Sequence, residues 1–303
     1  MIRVKLLQDP AGHKWPLNRQ SFKGSGIARG YHFDESHENY DLLLTFGEQS
    51  LAQQIKETPV PRERRFCILM ENPRFYFVDQ AYLALHKFVI SPFQIELPEG
   101  VVLIQTHPAV PWFYDINFDT TIGLTHAIVN HDRQKNLEFY CEELINPKTK
   151  LVSMITSTKG MSEGHKLRVA LAVNLKNFLK DNIDLYGFGH QPIANKRQAL
   201  EDYKFSIIVE NDLSDYFMTE KLCDAILGGT TPIYIGASKV REFYESDINY
   251  INPVGKSLEE MINSIVLFMN TEQSESNKIS QKHETLFRSN FYYHLTSMFM
   301  KFL

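Results

Sequence analysis

Cysteine is scarce in this 303-residue chain. Cys67, Cys141 and Cys223 stand far apart and make no CxxC pair, so neither a disulfide framework nor a zinc site is indicated. Long apolar runs are missing too: none approaches the roughly 20 residues that a membrane-spanning helix needs. No basic-then-apolar leader with a small-residue cleavage site follows Met1. Nor is there an excess of basic charge. Lys and Arg total 32 against 36 Asp and Glu, a net charge of −4, which speaks against a dedicated nucleic-acid binder. Together these absences describe a protein with reduced thiols in a cytoplasmic setting.

The familiar phosphate motifs are absent as well. There is no GxxxxGK[ST] loop. Gly24-Ser25-Gly26-Ile27-Ala28-Arg29-Gly30 imitates a dinucleotide fingerprint, but its last spacing is one residue too long and no clear strand precedes it, so it reads as a loop. No Asp-x-Asp pair is present to hold Mg²⁺ or Mn²⁺ on a sugar nucleotide. The histidines are scattered, and His126 and His131, five apart, have no partner at ligand spacing. A phosphate, if bound, must be held without a metal and without a Gly-rich fingerprint.

What is present is the composition of a folded protein, with 43% hydrophobic and 22% charged residues. The length suggests two domains. Apolar runs rich in β-branched and aromatic residues predict strands over Ile2–Leu7, Tyr40–Phe46, Arg65–Met70, Val101–Gln105, Leu151–Thr156, Ile183–Tyr186, Phe205–Val209 and Pro232–Ile235. Helices are predicted over Ser162–Leu179, Arg197–Tyr203, Thr219–Leu227 and Leu258–Met269. In the first of these, Leu167, Leu171, Leu175 and Phe178 mark one buried face. The alternation implies α/β domains built on parallel sheets. The polar, proline-bearing break Asn146–Lys150 is taken as the linker, giving domains 1–147 and 148–270 and a helical tail 271–303.

Chemistry concentrates in the second half. The apolar strand Phe205–Val209 ends in Glu210-Asn211, a short loop follows, and a helix opens at Thr219-Glu220-Lys221. Ligands of open α/β sheets bind outside the carboxyl ends of strands. A helix start offers free N–H groups and partial positive charge to an anion. Lys221 opposes that dipole but suits a phosphate, where a charge-assisted hydrogen bond is worth about 1.5–3 kcal/mol. Glu220 can accept two hydrogen bonds from a ribose diol. The alternative is that Glu220 compensates the dipole and Lys221 is a solvated charge. A second helix opening, Ser162–Arg168, puts His165 and Arg168 three apart on one face. There Arg168 could neutralise a diphosphate, or the turn could simply be a basic surface.

The run Tyr203-Lys204-Phe205…Glu210-Asn211…Thr219-Glu220-Lys221…Pro232-Ile233-Tyr234-Ile235-Gly236 resembles the signature of the α1,3/α1,4-fucosyltransferases, glycosyltransferase family 10. That signature reads Y-K-F, four residues, E-N, seven residues, T-E-K, then P-[IV]-x-x-G. The resemblance covers about Lys150 to Pro253. It implies a GT-B enzyme, with two Rossmann-like domains facing across a cleft, that binds a nucleotide sugar, typically GDP-fucose, without a cofactor or metal. It further implies that Lys221 and Arg168, with His165 beside it, serve the diphosphate, Glu220 the ribose, and Asn211 the sugar end of the donor. The family usually has Tyr two residues before T-E-K; here Phe217 stands there with Tyr216 just before it, which leaves the donor sugar open. Without a membrane anchor the chain is expected to be a soluble, bacterial-type member. A transferase for another nucleotide sugar, or a sugar-nucleotide or glycan-binding protein without turnover, is the alternative.

Inverting transfer needs a carboxylate that takes the acceptor hydroxyl proton. Arg65–Met70 ends abruptly in Glu71-Asn72-Pro73-Arg74, which resembles the family's element carrying the catalytic Glu, so Glu71 is the expected base, with Asp79 and Asp41 behind it. The Pro- and aromatic-rich stretch His107–Tyr114 is a candidate acceptor wall, or a core that fixes an irregular loop. Lys282–Leu303, crowded with Phe, Tyr and Met, is expected to pack back on the first domain. A peripheral contact with the inner membrane surface is the alternative.

Overall fold

The computed structural model describes residues 1–8, 17–119, 127–130, 135–271 and 274–303; His126 and His131 lie outside the described residues. Two compact units emerge, Met1–Pro111 with Asn136–Glu138 and Asn290–Leu303, and Trp112–Lys135 with Phe139–Ser289. The boundary at Pro111/Trp112 differs from the one expected at Asn146–Lys150. That stretch is docked within the second unit instead. Lys148 donates to Glu201 O (2.6 Å) and Gly228 O (2.8 Å), and burial brings its ammonium down to about 8. Proline and polar composition made the segment irregular without making it a linker.

The first unit is built on seven strands: β1 (Ile2–Leu7), β2 (Ile27–Ala28), β3 (Tyr31–Asp34), β4 (Leu42–Thr45), β5 (Arg65–Ile68), β6 (Phe88–Ser91) and β7 (Val102–Gln105). Their order is β2-β3-β1-β4-β5-β6-β7, parallel throughout except for the β2–β3 pair. Two helices, α1 (Ala52–Glu57) and α2 (Gln80–Leu83), lie along the chain between β4 and β6. Period-2 geometry explains the short apolar runs. Leu42 and Leu44 enter one core with Val4, Phe33 and Phe66, while Leu43 enters another with Ile55, Cys67 and Val89. Strand β6 was not expected; its four residues continue an apolar stretch that begins in α2 and carries no period of its own. The Gly24–Gly30 segment forms the β2–β3 hairpin, with Arg29 and Gly30 at positive φ in the turn. A Cβ on Gly26 would stand 2.4 Å from Phe33 O. Close backbone approach therefore accounts for that glycine.

The second unit opens with a hairpin of β8 (Asn117–Asp119) and β9 (Ala127–Asn130), followed by α3 (Leu137–Glu142), whose first two residues count with the first unit. Then come β10 (Lys150–Ile155), α4 (Glu163–Leu179), β11 (Ile183–Tyr186), α5 (Arg197–Leu200), β12 (Tyr203–Val209), α6 (Glu220–Leu227), β13 (Thr231–Ile235), β14 (Asn249–Tyr250), α7 (Leu258–Met269) and α8 (Glu275–Phe287). The strands form a parallel sheet in the order β11-β10-β12-β13-β14. Helix α8 begins inside the polar stretch that follows α7. Ser274 caps it by accepting the Asn277 N–H, and its buried Glu284 accepts the N–H groups of Glu245 and Ser246.

The tail divides. Helix α9 (Phe291–Phe302) belongs to the first unit, where Phe291, Tyr292, Leu295 and Phe299 fill the core with Phe33 and Phe66. Asn290 caps it and also donates to Gln20 O (2.7 Å). Most of the tail's apolar surface is thereby used in packing, with Met300 and Leu303 left exposed. No helix among the described residues is long and apolar enough to cross a membrane.

Three histidines are buried in the first unit. His86 lies with Nε2 at the Thr45 hydroxyl (3.0 Å) and Nδ1 at Tyr82 O (3.2 Å), and His107 packs ring to ring with His294 at 3.7 Å. Burial depresses all three, His86 and His294 to about 4 and His107 well below its ordinary value, with its neighbour His294 adding to the effect. The unfolded chain binds protons at these positions below about pH 6.5 and the folded one does not. Stability is therefore intact above that pH and falls as pH drops toward 4, by up to ~1.4 kcal/mol per pH unit for each histidine. Urea denaturation at pH 7.5, 6 and 5 is expected to show this decline, and His294→Gln to make it less steep.

Candidate functional site

In a sheet ordered β11-β10-β12-β13-β14, the chain leaves β10 toward one side and β12 toward the other, which opens a crevice at their carboxyl ends. Four of the residues expected from sequence gather there: His165, Arg168, Asn211 and Lys221, with Glu220 adjoining. Helix α4 starts in a capping box. Ser162 Oγ accepts the His165 N–H (3.1 Å), and His165 Nδ1 accepts the Ser162 N–H (3.2 Å). The Ser162 hydroxyl donates to Asn211 O (2.5 Å), so the cap also clamps the helix to the end of β12. Gly164 makes this possible, since a Cβ there would lie 2.4 Å from Asn211 O and 2.5 Å from Glu210 O.

Arg168, one turn along α4, donates from Nη1 to Asn211 Oδ1 (2.6 Å) and from Nη2 to Ser157 Oγ (2.9 Å). It is only 5% exposed, and its Nε is buried without a hydrogen-bond partner among the described residues. Asn211 thus holds a cation in place through its side-chain oxygen.

Helix α6 is gripped at its start by Glu210. This fully buried carboxylate accepts the Thr219 N–H at Oε1 (2.9 Å), and at Oε2 the Thr219 hydroxyl (2.8 Å) and the Lys221 ammonium (3.0 Å). Lys221 also donates to Thr219 Oγ1 (2.7 Å), and its side chain is 20% exposed. An ammonium carries three N–H groups, so one remains for an anion. Burial works to raise the Glu220 carboxyl, but Lys221 and Lys196 together hold it down to about 2.

One electrostatic detail joins the two helix openings. Burial first, then Arg168, Lys159 and Lys221, lower His165 to about 4. His165 is therefore neutral at physiological pH and sits in the positive potential of three cations. That potential, with Glu220 at its edge, suits a diphosphate whose attached ribose presents hydroxyls.

Other expectations meet a different geometry. Phe217 is 2% exposed and belongs to the core, so it presents no surface to a ligand; Tyr216 is half-buried, edge-on to Phe243 at 6.4 Å. Trp112, Phe113 and Tyr114 are buried in the second unit and form no acceptor wall. The N–H groups of Phe113 and Tyr114 are held by Asp224 Oδ1, each at 2.8 Å. In the first unit, Glu71 is exposed three residues beyond the carboxyl end of β5. Asp79 instead caps α2 through the Ala81 N–H (3.0 Å), and Asp41, at the amino end of β4, accepts the Arg3 N–H (2.8 Å). Both runners-up have structural work. Sequence reasoning gave no role to Glu210, Lys196, Asp224 or Ser157. Glu210 stood inside the quoted run, but nothing local says that a strand-end carboxylate turns inward.

Comparison with known proteins finds similar sequences and folds. Residues 145–292 match the family model described as Glycosyltransferase family 10 (fucosyltransferase) C-term. The chain is 34% identical over 99 residues to a 3-galactosyl-N-acetylglucosaminide 4-alpha-L-fucosyltransferase of Bos taurus, covering 32% of this chain and 26% of that protein. It is 30% identical over 83 residues to a putative fucosyltransferase-like protein of Arabidopsis thaliana, covering 26% and 16%. The matched segments thus span about a quarter or less of these relatives. The crystal structure of an alpha1,3-fucosyltransferase superimposes with a TM-score of 0.52 at 15% identity, over 99% of this chain and 89% of that one. At that identity the likeness is one of fold, and the fold is GT-B.

Gly164 is the position to test. Gly164→Ala must push α4 off the end of β12, with the strain of an overpacked contact, about 1–3 kcal/mol. Scanning calorimetry is expected to show a lower Tm.

Proposed function

From a chain whose residues 145–292 match the family model of glycosyltransferase family 10, we propose a member of that family, an inverting enzyme that transfers L-fucose from GDP-fucose to a hydroxyl of a glycan acceptor. The observation that carries this reading is the meeting of Arg168 and Lys221 at the β10/β12 crevice, beside a Glu220 that stays ionised. Arg168 and Lys221 receive the diphosphate, and Glu220 accepts from the ribose. Asn211 and Glu210 position the two cations. A crystallised alpha1,3-fucosyltransferase of similar fold holds GDP-fucose, at 16% identity, a TM-score of 0.50, and coverage of 99% of this chain and 90% of that one.

The chemistry follows from these roles. An acceptor hydroxyl oxygen attacks the anomeric carbon from the face opposite the diphosphate, and its proton passes to the carboxylate of Glu71. The bond from the anomeric carbon to the diphosphate oxygen breaks, and GDP leaves with the electron pair. Arg168 and Lys221 stabilise the charge that grows on that oxygen, the kind of fixed electrostatics that lowers a barrier most.

The loop that starts at Glu71 supports an acceptor role for this face. Asn72 organises it, accepting the Arg74 N–H at Oδ1 (2.9 Å) and the Phe75 and Tyr76 N–H groups at its carbonyl (2.9 and 3.0 Å). It then presents Phe75, Tyr76 and Phe77 at 49%, 42% and 72% exposure. Aromatic faces of this kind suit the apolar face of a sugar ring.

Two measurements test the reading. In a thermal-shift panel, GDP and GDP-fucose are expected to raise Tm, by the equivalent of about 2.7 kcal/mol at a hundredfold excess over Kd, while UDP does not. An unresponsive protein would remove the nucleotide. Glu71→Gln is expected to lower transfer by about 10²–10⁴-fold with GDP-fucose affinity by calorimetry unchanged; full turnover in this variant excludes Glu71 as the base.

A further inference from the structure

The Glu220 carboxylate is held by a residue outside every motif named above. Lys196, just before α5, points its ammonium at Glu220 Oε1 (3.2 Å) and Asp224 Oδ2 (2.5 Å), and its side chain is 13% exposed. Asp224 cannot shift, because its other oxygen is fixed by the backbone N–H groups of Phe113 and Tyr114. The Phe113 ring lies 5.1 Å from the ammonium and closes off one side of it. Lys196 is therefore a rigid post, anchored at Asp224 and reaching to Glu220.

Charge counting separates a brace from a positioning device. Asp224 alone neutralises Lys196, so a structural pair needs no second carboxylate. Glu220 already has Lys221 as its stronger cationic neighbour, so the contact with Lys196 supplies direction more than charge: it ties Oε1 to a post that is itself anchored at Asp224. A carboxylate has about four acceptor sites. Here one oxygen faces Lys196 and a further bond comes from the residue's own N–H, which leaves acceptor capacity in a fixed direction. The start of α6 does not depend on this group, since Glu210 already secures it.

We propose that Lys196 is a positioning residue for ribose recognition: by fixing Glu220 against Asp224 it makes the donor site select ribonucleotides over their deoxy counterparts. This rests on the assignment of Glu220 to the ribose made above. A freely rotating glutamate at a helix start loses side-chain entropy when it bridges a diol, whereas a held one has already lost it.

The test is calorimetric titration of the full chain with GDP and with 2′-deoxy-GDP. The unmodified protein is expected to prefer GDP by about 10- to 100-fold, the worth of a charge-assisted hydrogen bond. In Lys196→Met, GDP affinity is expected to fall by about that factor while 2′-deoxy-GDP affinity hardly moves, so that the preference collapses. Lys196→Arg is expected to restore it. If Lys196→Met does not fold, Lys196→Gln, which still donates to Asp224, replaces it. A pH series gives a second readout. Glu220 faces Lys196, Lys221, Arg168 and Asp224; with Lys196 gone its carboxyl rises, and the ratio of GDP to 2′-deoxy-GDP affinity, in which the titration of the shared terminal phosphate cancels, is expected to shrink between pH 7 and pH 5 in the variant and to stay constant in the unmodified protein. Equal losses for both nucleotides would make Lys196 a structural brace and overturn the proposal. An unchanged preference overturns it as well. An unmodified protein that binds GDP without discriminating overturns it while leaving the donor site standing, whereas one that binds neither nucleotide removes the donor site itself.

Discussion

The buried carboxylate of Glu210 is the contact on which the rest of the site depends. A charge taken out of water at the end of a β-strand is stable only when its lone pairs are filled, and here they are filled by the first residues of α6: the Thr219 N–H, the Thr219 hydroxyl and the Lys221 ammonium. The same backbone turn receives α4, because Gly164 lets that helix approach the carbonyls of Glu210 and Asn211 and Ser162 bonds the second of them. Two helix openings, distant in sequence, are brought to one strand end. Their dipoles and cations then add rather than act separately.

Around this point the charges are arranged in layers with distinct work. Arg168 and Lys221 each spend part of their hydrogen-bonding capacity on residues that aim them, Asn211 and Ser157 for the first, Glu210 and Thr219 for the second. Glu220 is aimed by Lys196 and Asp224. Next to Lys196 in sequence, Arg197 turns to a separate ionic group with Asp115 and Glu143 that ties the loop after Trp112 into the second unit. Neighbouring residues therefore serve opposite ends: one orients a binding group, the other secures the scaffold that holds it.

Much of this could be read in advance where a local pattern has a local cause. The edges of β1, β11 and α7 fell where alternation or helical period placed them, because those elements bury one face and the burial writes its period into the chain. The helix openings of α4 and α6 were legible for the same reason, Ser162 being a cap and Thr219 following a loop. The errors have a common origin. Asn146–Lys150 looked like a linker because proline and lysine are typical of exposed breaks, yet Lys148 found carbonyl oxygens to bond. The aromatic residues after His107 were open to two roles, a sugar platform or a core, and the core role is the one realised because Asp224 holds their backbone N–H groups, while exposed aromatic rings stand at Phe75–Phe77. Composition states what a side chain can do, and the choice among its possible partners is made at long range.

The amino-acid order alone therefore determined the α/β class, the parallel sheets, the strand-end position of Glu210-Asn211 and the two helix starts that carry Arg168 and Lys221, since each is a matter of periodicity or capping over a few residues. Tertiary structure decided which groups act together. That Glu210 faces inward, that Asn211 holds Arg168, that Phe217 is core and that Lys196 reaches Glu220 and Asp224 all depend on contacts between residues 9 to 43 positions apart. Such contacts form only when packing has excluded water and made the unpaired alternative costly.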